Sequence, residues 1–162
     1  MEMGWSINVF SGEEIIEIAL QMEESGKLFY EKALEYAKSN ELKEMLAYLA
    51  KEEEKHAKTF SELGKDLKND FKPNEQYVGE YGDYVKSLIN SHVFRINQVE
   101  DLVKDIKNDK DILRFALSFE KDSIVIFQEF KNAANKEGAP LLEKLVNEEK
   151  GHIQKISELF NN

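Results

Sequence analysis

Cysteine is absent from the 162 residues, and a block of chemistry goes with it. No disulfide staple, thiol nucleophile, Cys-ligated zinc, iron–sulfur cluster or rubredoxin-type iron site can be built from this chain. The absence agrees with a reducing compartment. Prolines number two, at 73 and 140, and glycines eight; this is too little punctuation for a many-stranded sheet and favours a few long helices. No run approaches the roughly 20 apolar residues of a membrane span. The start, Met1-Glu2-Met3-Gly4-Trp5-Ser6, lacks the basic and apolar regions of a secretory signal. A cytoplasmic protein that does not engage a membrane is therefore expected. Basic residues are scarce, 22 against 32 acidic, and the formal net charge of -10 argues against nucleic acid or anionic lipid as the main partner. It suits cations. What is present is a soluble composition, 41% hydrophobic and 33% charged, long enough to bury about 70% of the unfolded surface as one domain over 1–162.

The apolar spacing is helical. Counting from Ser11, an expected N-cap with Glu14 at the capping-box position, small or apolar residues recur at Ile16, Ala19, Gly26, Tyr30, Ala33 and Ala37. Similar runs are Leu42, Leu46, Leu49, Phe60, Leu63; then Leu113, Ala116, Phe127, Phe130, Ala134; then Leu142, Leu145, Ile156, Leu159. They predict four amphipathic helices over about 12–38, 41–66, 109–135 and 140–160, an all-α bundle of two hairpins. Lys38-Ser39-Asn40 makes the first turn. The second runs through Gly138 to Pro140, with proline opening the last helix. The stretch 67–108 between the hairpins is too long for a structureless loop. It carries Tyr77, Tyr81, Tyr84, Val85, Leu88 and Val93, so it is expected to be a partly helical crossover packed on the bundle; a floppy insertion is the alternative.

The two hairpins read as copies. Met45 to Leu63 aligns with Leu141 to Leu159 at an offset of 96 with eight identities in nineteen, including Glu52/Glu148, Glu53/Glu149 and His56/His152. With gaps filled, the four apolar seams are 16-19-23-26-30-33-37, 42-46-49-53-56-60-63, 113-116-120-123-127-130-134 and 142-145-149-152-156-159, alternating steps of three and four. Each contains a glutamate: Glu23, Glu53, Glu120 and Glu149, with His56 and His152 one step beyond the second and fourth. Burying an ionised carboxylate costs several kcal/mol unless it is paired or bound to metal. Glu23 and Glu53 each lie about 15 residues from the first turn, roughly 22 Å at 1.5 Å per residue, and so stand at one height. In Glu-x-x-His the two side chains share a helix face. Four carboxylates balance two divalent cations, and the mixed oxygen and imidazole set suits iron or manganese without excluding zinc. Only Glu53 of the run Lys51-Glu52-Glu53-Glu54-Lys55 falls on the seam, so Glu52 and Glu54 are expected outside. Tyr30 and Phe127 hold equivalent places one heptad beyond their glutamates; core packing is the first expectation, a role around the ligands the second. Gly26 and Ser123 either leave room for a bridging oxygen species or let helices pack closely. His92 is expected on the surface or in the crossover.

Glu23-x-x-Gly26-x-x-x-Tyr30, Glu53-Glu54-Lys55-His56, Glu120-x-x-Ser123-x-x-x-Phe127 and Glu149-Lys150-Gly151-His152 resemble the ligand motifs of the ferritin-like diiron-carboxylate superfamily, and most closely the rubrerythrin family. The resemblance covers all four helices. It implies that Glu53 and Glu149 bridge two irons, that Glu23 and Glu120 are terminal ligands, and that His56 and His152 are the nitrogen ligands. It departs from the family at Ser123, where rubrerythrins place a further glutamate, and in lacking a rubredoxin domain; the ligand set is nearer the symmetric site of bacterioferritin. Glu54 stands where haem-binding bacterioferritins carry methionine. The activity implied is reduction of hydrogen peroxide or dioxygen with electrons from a separate donor protein, by a homodimer or small homo-oligomer. Ferroxidase or iron handling is a second reading, and a metal-stabilised binding protein without catalysis a third.

Overall fold

The computed structural model describes residues 12–66, 83–84, 87–88, 91, 98–133 and 138–161. Within them the chain forms α1 (Gly12–Ala33), α2 (Asn40–Asp66), a short α3 (Val99–Val103), α4 (Asp109–Ala133) and α5 (Gly138–Asn161), with no strand among the described residues. α1 pairs with α2 and α4 with α5. The hairpins meet through α1 against α4 and α2 against α5. None of these helices is long and apolar enough to cross a membrane.

The seams read from the sequence are the buried faces. Every seam position whose burial is described is buried, apart from the half-buried Leu159. Apolar side chains along them gather into two clusters. One holds Ile16, Ala19, Phe60, Phe127, Phe130 and Leu142, among others. The other holds Phe29, Tyr30, Ala37, Leu46, Ile112 and Ile156, among others. Early α1 thus packs with late α2 and late α4, and late α1 with early α4. α2 and α4 therefore run parallel, which is why a long crossover must return the chain along the bundle.

Helix ends differ from the sequence reading by a few residues. α1 stops at Ala33 rather than near 38 because its last turn tightens. Glu35 donates to the Lys32 carbonyl and Tyr36 to that of Ala33, and the amides of Lys38 and Ser39 donate to the Asp109 carboxylate at 2.8 and 3.0 Å. One aspartate at the start of α4 thereby ties down the first turn. Ser39 caps α2 by accepting from the Leu42 amide, and Asn108 caps α4 by accepting from Asp111. α5 begins at Gly138, two residues before Pro140. Proline is tolerated there because first-turn amides have no helical partner.

Part of the crossover is helical, as expected. α3 packs on α1 and, with the residues after it, buries Val99, Val103 and Ile106 in the second cluster. Leu88 packs against the first cluster, while Tyr84 is exposed. Ser11, Tyr77, Tyr81, Val85, His92, Val93 and Ala134 lie outside the described residues.

Candidate metal centre

Between the two apolar clusters lies a polar layer. Glu23, Glu53, Glu120 and Glu149 are each wholly buried, as is Ser123, and His56 and His152 nearly so. Each helix of the bundle brings one glutamate to the layer because the three-and-four spacing of its seam places that residue inward midway along its length. The two Glu-x-x-His pairs add a histidine one turn on from α2 and α5.

Both imidazoles turn Nδ1 into the layer. His56 Nδ1 lies 2.9 Å from Glu149 Oε1, 3.4 Å from Glu23 Oε2 and 3.7 Å from Glu53 Oε2. His152 Nδ1 lies 3.3 Å from Glu149 Oε2, 3.4 Å from Glu120 Oε1 and 3.8 Å from Glu53 Oε1. The two rings stand nearly parallel with centroids 5.8 Å apart. Glu53 and Glu149 thus each direct one oxygen toward one histidine and the other oxygen toward its counterpart. Two groups of donors result, Glu23-Glu53-His56-Glu149 and Glu53-Glu120-Glu149-His152, with donor atoms in each within 4.8 Å of one another. All six residues singled out in the sequence meet here.

The layer fits two cations. Both oxygens of Glu23 and of Glu53, and Glu120 Oε2, are buried with no hydrogen-bond partner. Buried polar groups left this way cost about 1–3 kcal/mol each, more when charged, and bound divalent ions would satisfy them together. Without ions, protons hold the charges together. Burial raises the Glu23 carboxyl and raises that of Glu53 further, with Glu149 adding to the first and Glu23 and Glu120 to the second. Burial, and then the Glu149 charge, lifts Glu120 to about 8. Burial opposes protonation of the histidines but is outweighed. Glu149, Glu23 and Glu53 hold His56 far above its ordinary range, and Glu120 and Glu149 lift His152 to about 11.

Tyr30 does more than pack. It is fully buried, edge-on to Phe29 and Phe119, and its hydroxyl donates to Glu120 Oε1 at 2.8 Å. Phe127, its repeat equivalent, packs against Phe60 and Phe130 and contributes apolar surface alone. Of the two readings for Gly26, close packing is correct. The space beyond its Cα holds the ring of Phe119, which is itself fully buried. Gly26→Ala is expected to lower stability by about 2 kcal/mol, since overpacking costs about 1–3 kcal/mol and outweighs the gain in helix propensity. A thermal melt should show Tm down by roughly 4–8 °C.

Sequence reasoning missed two carboxylates. Glu148 Oε2 lies 2.7 Å from His56 Nε2. Glu52, expected outside, is only 16% exposed at its side chain and lies 4.0 Å from His152 Nε2. The signal was their identity in the repeat, each directly before a seam glutamate. Placing Glu52 outside overlooked that the outer nitrogen of a buried histidine also needs a partner. Glu54 is exposed, as expected.

Fold and site together define a ferritin-like four-helix bundle whose carboxylate and histidine layer fits a two-metal site. The same fold is found in the crystal structure of a protein from Thermotoga maritima described as a ferritin-like diiron-carboxylate protein, at TM-score 0.67 and 23% identity, covering 96% of this chain and 97% of that one. The family model for rubrerythrin matches residues 14–103, more than half of the sequence, and the chain belongs to the rubrerythrin family. No curated protein sequence matches it.

Proposed function

We propose that the protein is a two-iron oxidoreductase that reduces hydrogen peroxide or dioxygen with electrons from a separate donor protein. The observation that supports this reading is the sealed layer of four glutamates and two histidines, two of whose carboxylates face both donor groups. In this reading Glu53 and Glu149, which belong to both donor groups, would help to hold both metals. Glu23 with His56, and Glu120 with His152, complete one position each. Bound iron would supply the two electrons and the Lewis-acid polarisation of the oxidant; manganese or zinc would also suit the donors.

The chain's own residues hold and shield that centre. Apolar clusters close the layer on both sides and exclude bulk water. Tyr30 fixes the orientation of Glu120. Its phenol stays protonated because burial and then the Glu120 charge raise its pKa well above the ordinary value. Reduction of one peroxide to two waters consumes two protons with the two electrons. The hydrogen bond from His56 Nε2 to the partly exposed Glu148 links the layer to solvent. Action in the cytoplasm, as a homodimer or small homo-oligomer, completes the proposal.

The test is single-turnover. Iron-loaded protein, reduced without oxygen and mixed with peroxide, is expected to reoxidise both irons and consume one peroxide per site. Iron taken up well beyond two ions per chain by a large assembly would establish iron handling instead. Metal that stays bound without turnover would establish the binding-protein reading.

A further inference from the structure

The repeat that builds the centre is copied imperfectly, and one difference bears on the outer nitrogens of the two histidines. Glu-Glu-Glu-Lys-His at 52–56 is matched by Glu-Glu-Lys-Gly-His at 148–152, so Lys55 stands where the second copy has Gly151. In each copy the leading glutamate faces the histidine of the opposite helix. Glu148 on α5 reaches His56 on α2, with Oε2 2.7 Å from Nε2. The reciprocal contact is not made. Glu52 Oε2 stays 4.0 Å from His152 Nε2, beyond hydrogen-bonding distance, while Oε1 of that carboxylate accepts from Lys55 Nζ at 2.9 Å. Glycine at 151 offers Glu148 no such rival. The setting of His152 differs further. The Tyr48 ring stands edge-on to it, with centroids 6.0 Å apart, and Lys155 Nζ lies 4.0 Å from the centre of that ring; the repeat puts Lys144 at the place equivalent to Tyr48.

We infer that the two metal positions are unequal: the position formed by Glu23, Glu53, Glu149 and His56 binds its ion more tightly and fills first, because Glu148 is a positioning residue for His56, while Lys55 withholds Glu52 from His152. The inference rests on the two-metal reading and goes beyond it. Since Nδ1 of each histidine faces the carboxylate layer, Nε2 carries the proton when Nδ1 binds an ion. A carboxylate accepting from Nε2–H locks the tautomer and the ring orientation and makes Nδ1 a better donor. Removing such a partner typically costs 10–100-fold in metal affinity. Only the His56 position has one in place. At the other position, Lys55 engages the carboxylate that would play the part.

Repulsion between two nearby cations would by itself give stepwise filling, so the substitutions decide the matter. Metal-free protein is titrated with cobalt(II), followed by calorimetry and by visible absorption, with far-UV circular dichroism as a check on folding. The native protein is expected to bind two ions in steps at least tenfold apart. Glu148→Ala should weaken the tight step about 10–100-fold, whereas Glu52→Ala should change neither step by more than about threefold. Lys55→Ala frees Glu52 and should tighten the weak step. Gly151→Lys places a lysine three residues after Glu148, where an added Cβ meets nothing within 4 Å, and should weaken the tight step without disturbing the helix. Equal effects of Glu148→Ala and Glu52→Ala, or a tight step untouched by both Glu148→Ala and Gly151→Lys, would overturn the inference and leave the two-metal reading standing. A native protein that binds no cobalt would overturn both.

Discussion

Glu53→Ala or Glu149→Ala is expected to take the metal content from two ions per chain to none, whereas Glu23→Ala or Glu120→Ala is expected to leave one. The difference follows from how the carboxylates are shared. Glu149 offers Oε1 to the His56 side at 2.9 Å and Oε2 to the His152 side at 3.3 Å. Glu53 does the same with its oxygens in the opposite order, at 3.7 and 3.8 Å. Losing either strips one donor from both groups at once and leaves three carboxylates against two divalent ions. Glu23 and Glu120 each belong to a single group, so their loss leaves the other group complete. Elemental analysis of protein loaded with excess ferrous or manganous ion and then desalted measures the count directly. One ion firmly retained in Glu53→Ala would mean that the carboxylate serves one position only, and the shared arrangement would fall.

The hairpins and the six buried glutamates and histidines were legible in the sequence because burial of charge is so costly that few arrangements tolerate it. Four glutamates on four apolar seams, repeated at a fixed offset, leave a cation as the natural solution, and the structure brings all six residues into one layer. Less was legible wherever an outcome depended on side-chain reach across helices. Tyr30 was read first as core because its position on the seam says that it is buried, not where its hydroxyl ends; the partner, Glu120, is 90 residues away. Gly26 allowed two readings until the opposing residue was known to be Phe119. Glu52 and Glu148 lie one residue off the seam, where periodicity predicts solvent, yet each reaches toward a histidine on the opposite helix. The end of α1 escaped because it is set by Asp109 from the other hairpin, a tertiary contact with no local signature. Helix was expected somewhere in the crossover, but the place of α3 was not legible because five residues give too little periodicity to read.

Metal-free protein is expected to lose stability as pH rises from about 5 to about 9, and metal-loaded protein to be protected increasingly over the same range. The Glu120 carboxyl is lifted from 4.5 to about 8, so between those values the folded state holds a proton that the unfolded state has released. A group raised in this way stabilises fully below its unfolded pKa and loses that contribution as pH climbs toward its folded one. His152, lifted from 6.5 to about 11, acts with the same sign over a higher window. Between pH 6.5 and 8 the two windows overlap. One retained proton is worth about 1.4 kcal/mol per pH unit, or about 3–5 °C in Tm for a chain of this size. Metal reverses the balance because its ligands must be deprotonated: binding expels the protons that held the empty layer together, so affinity and the stabilisation it confers grow with pH. Thermal melts at pH 5.5, 7.0 and 8.5, with chelator and with excess manganous ion, separate the two curves. They should lie close together in acid and diverge with rising pH. A chelated protein whose Tm stays level or climbs across that range would mean that the carboxylates are not held in a protonated, sealed layer, and the electrostatic account of the site would fail.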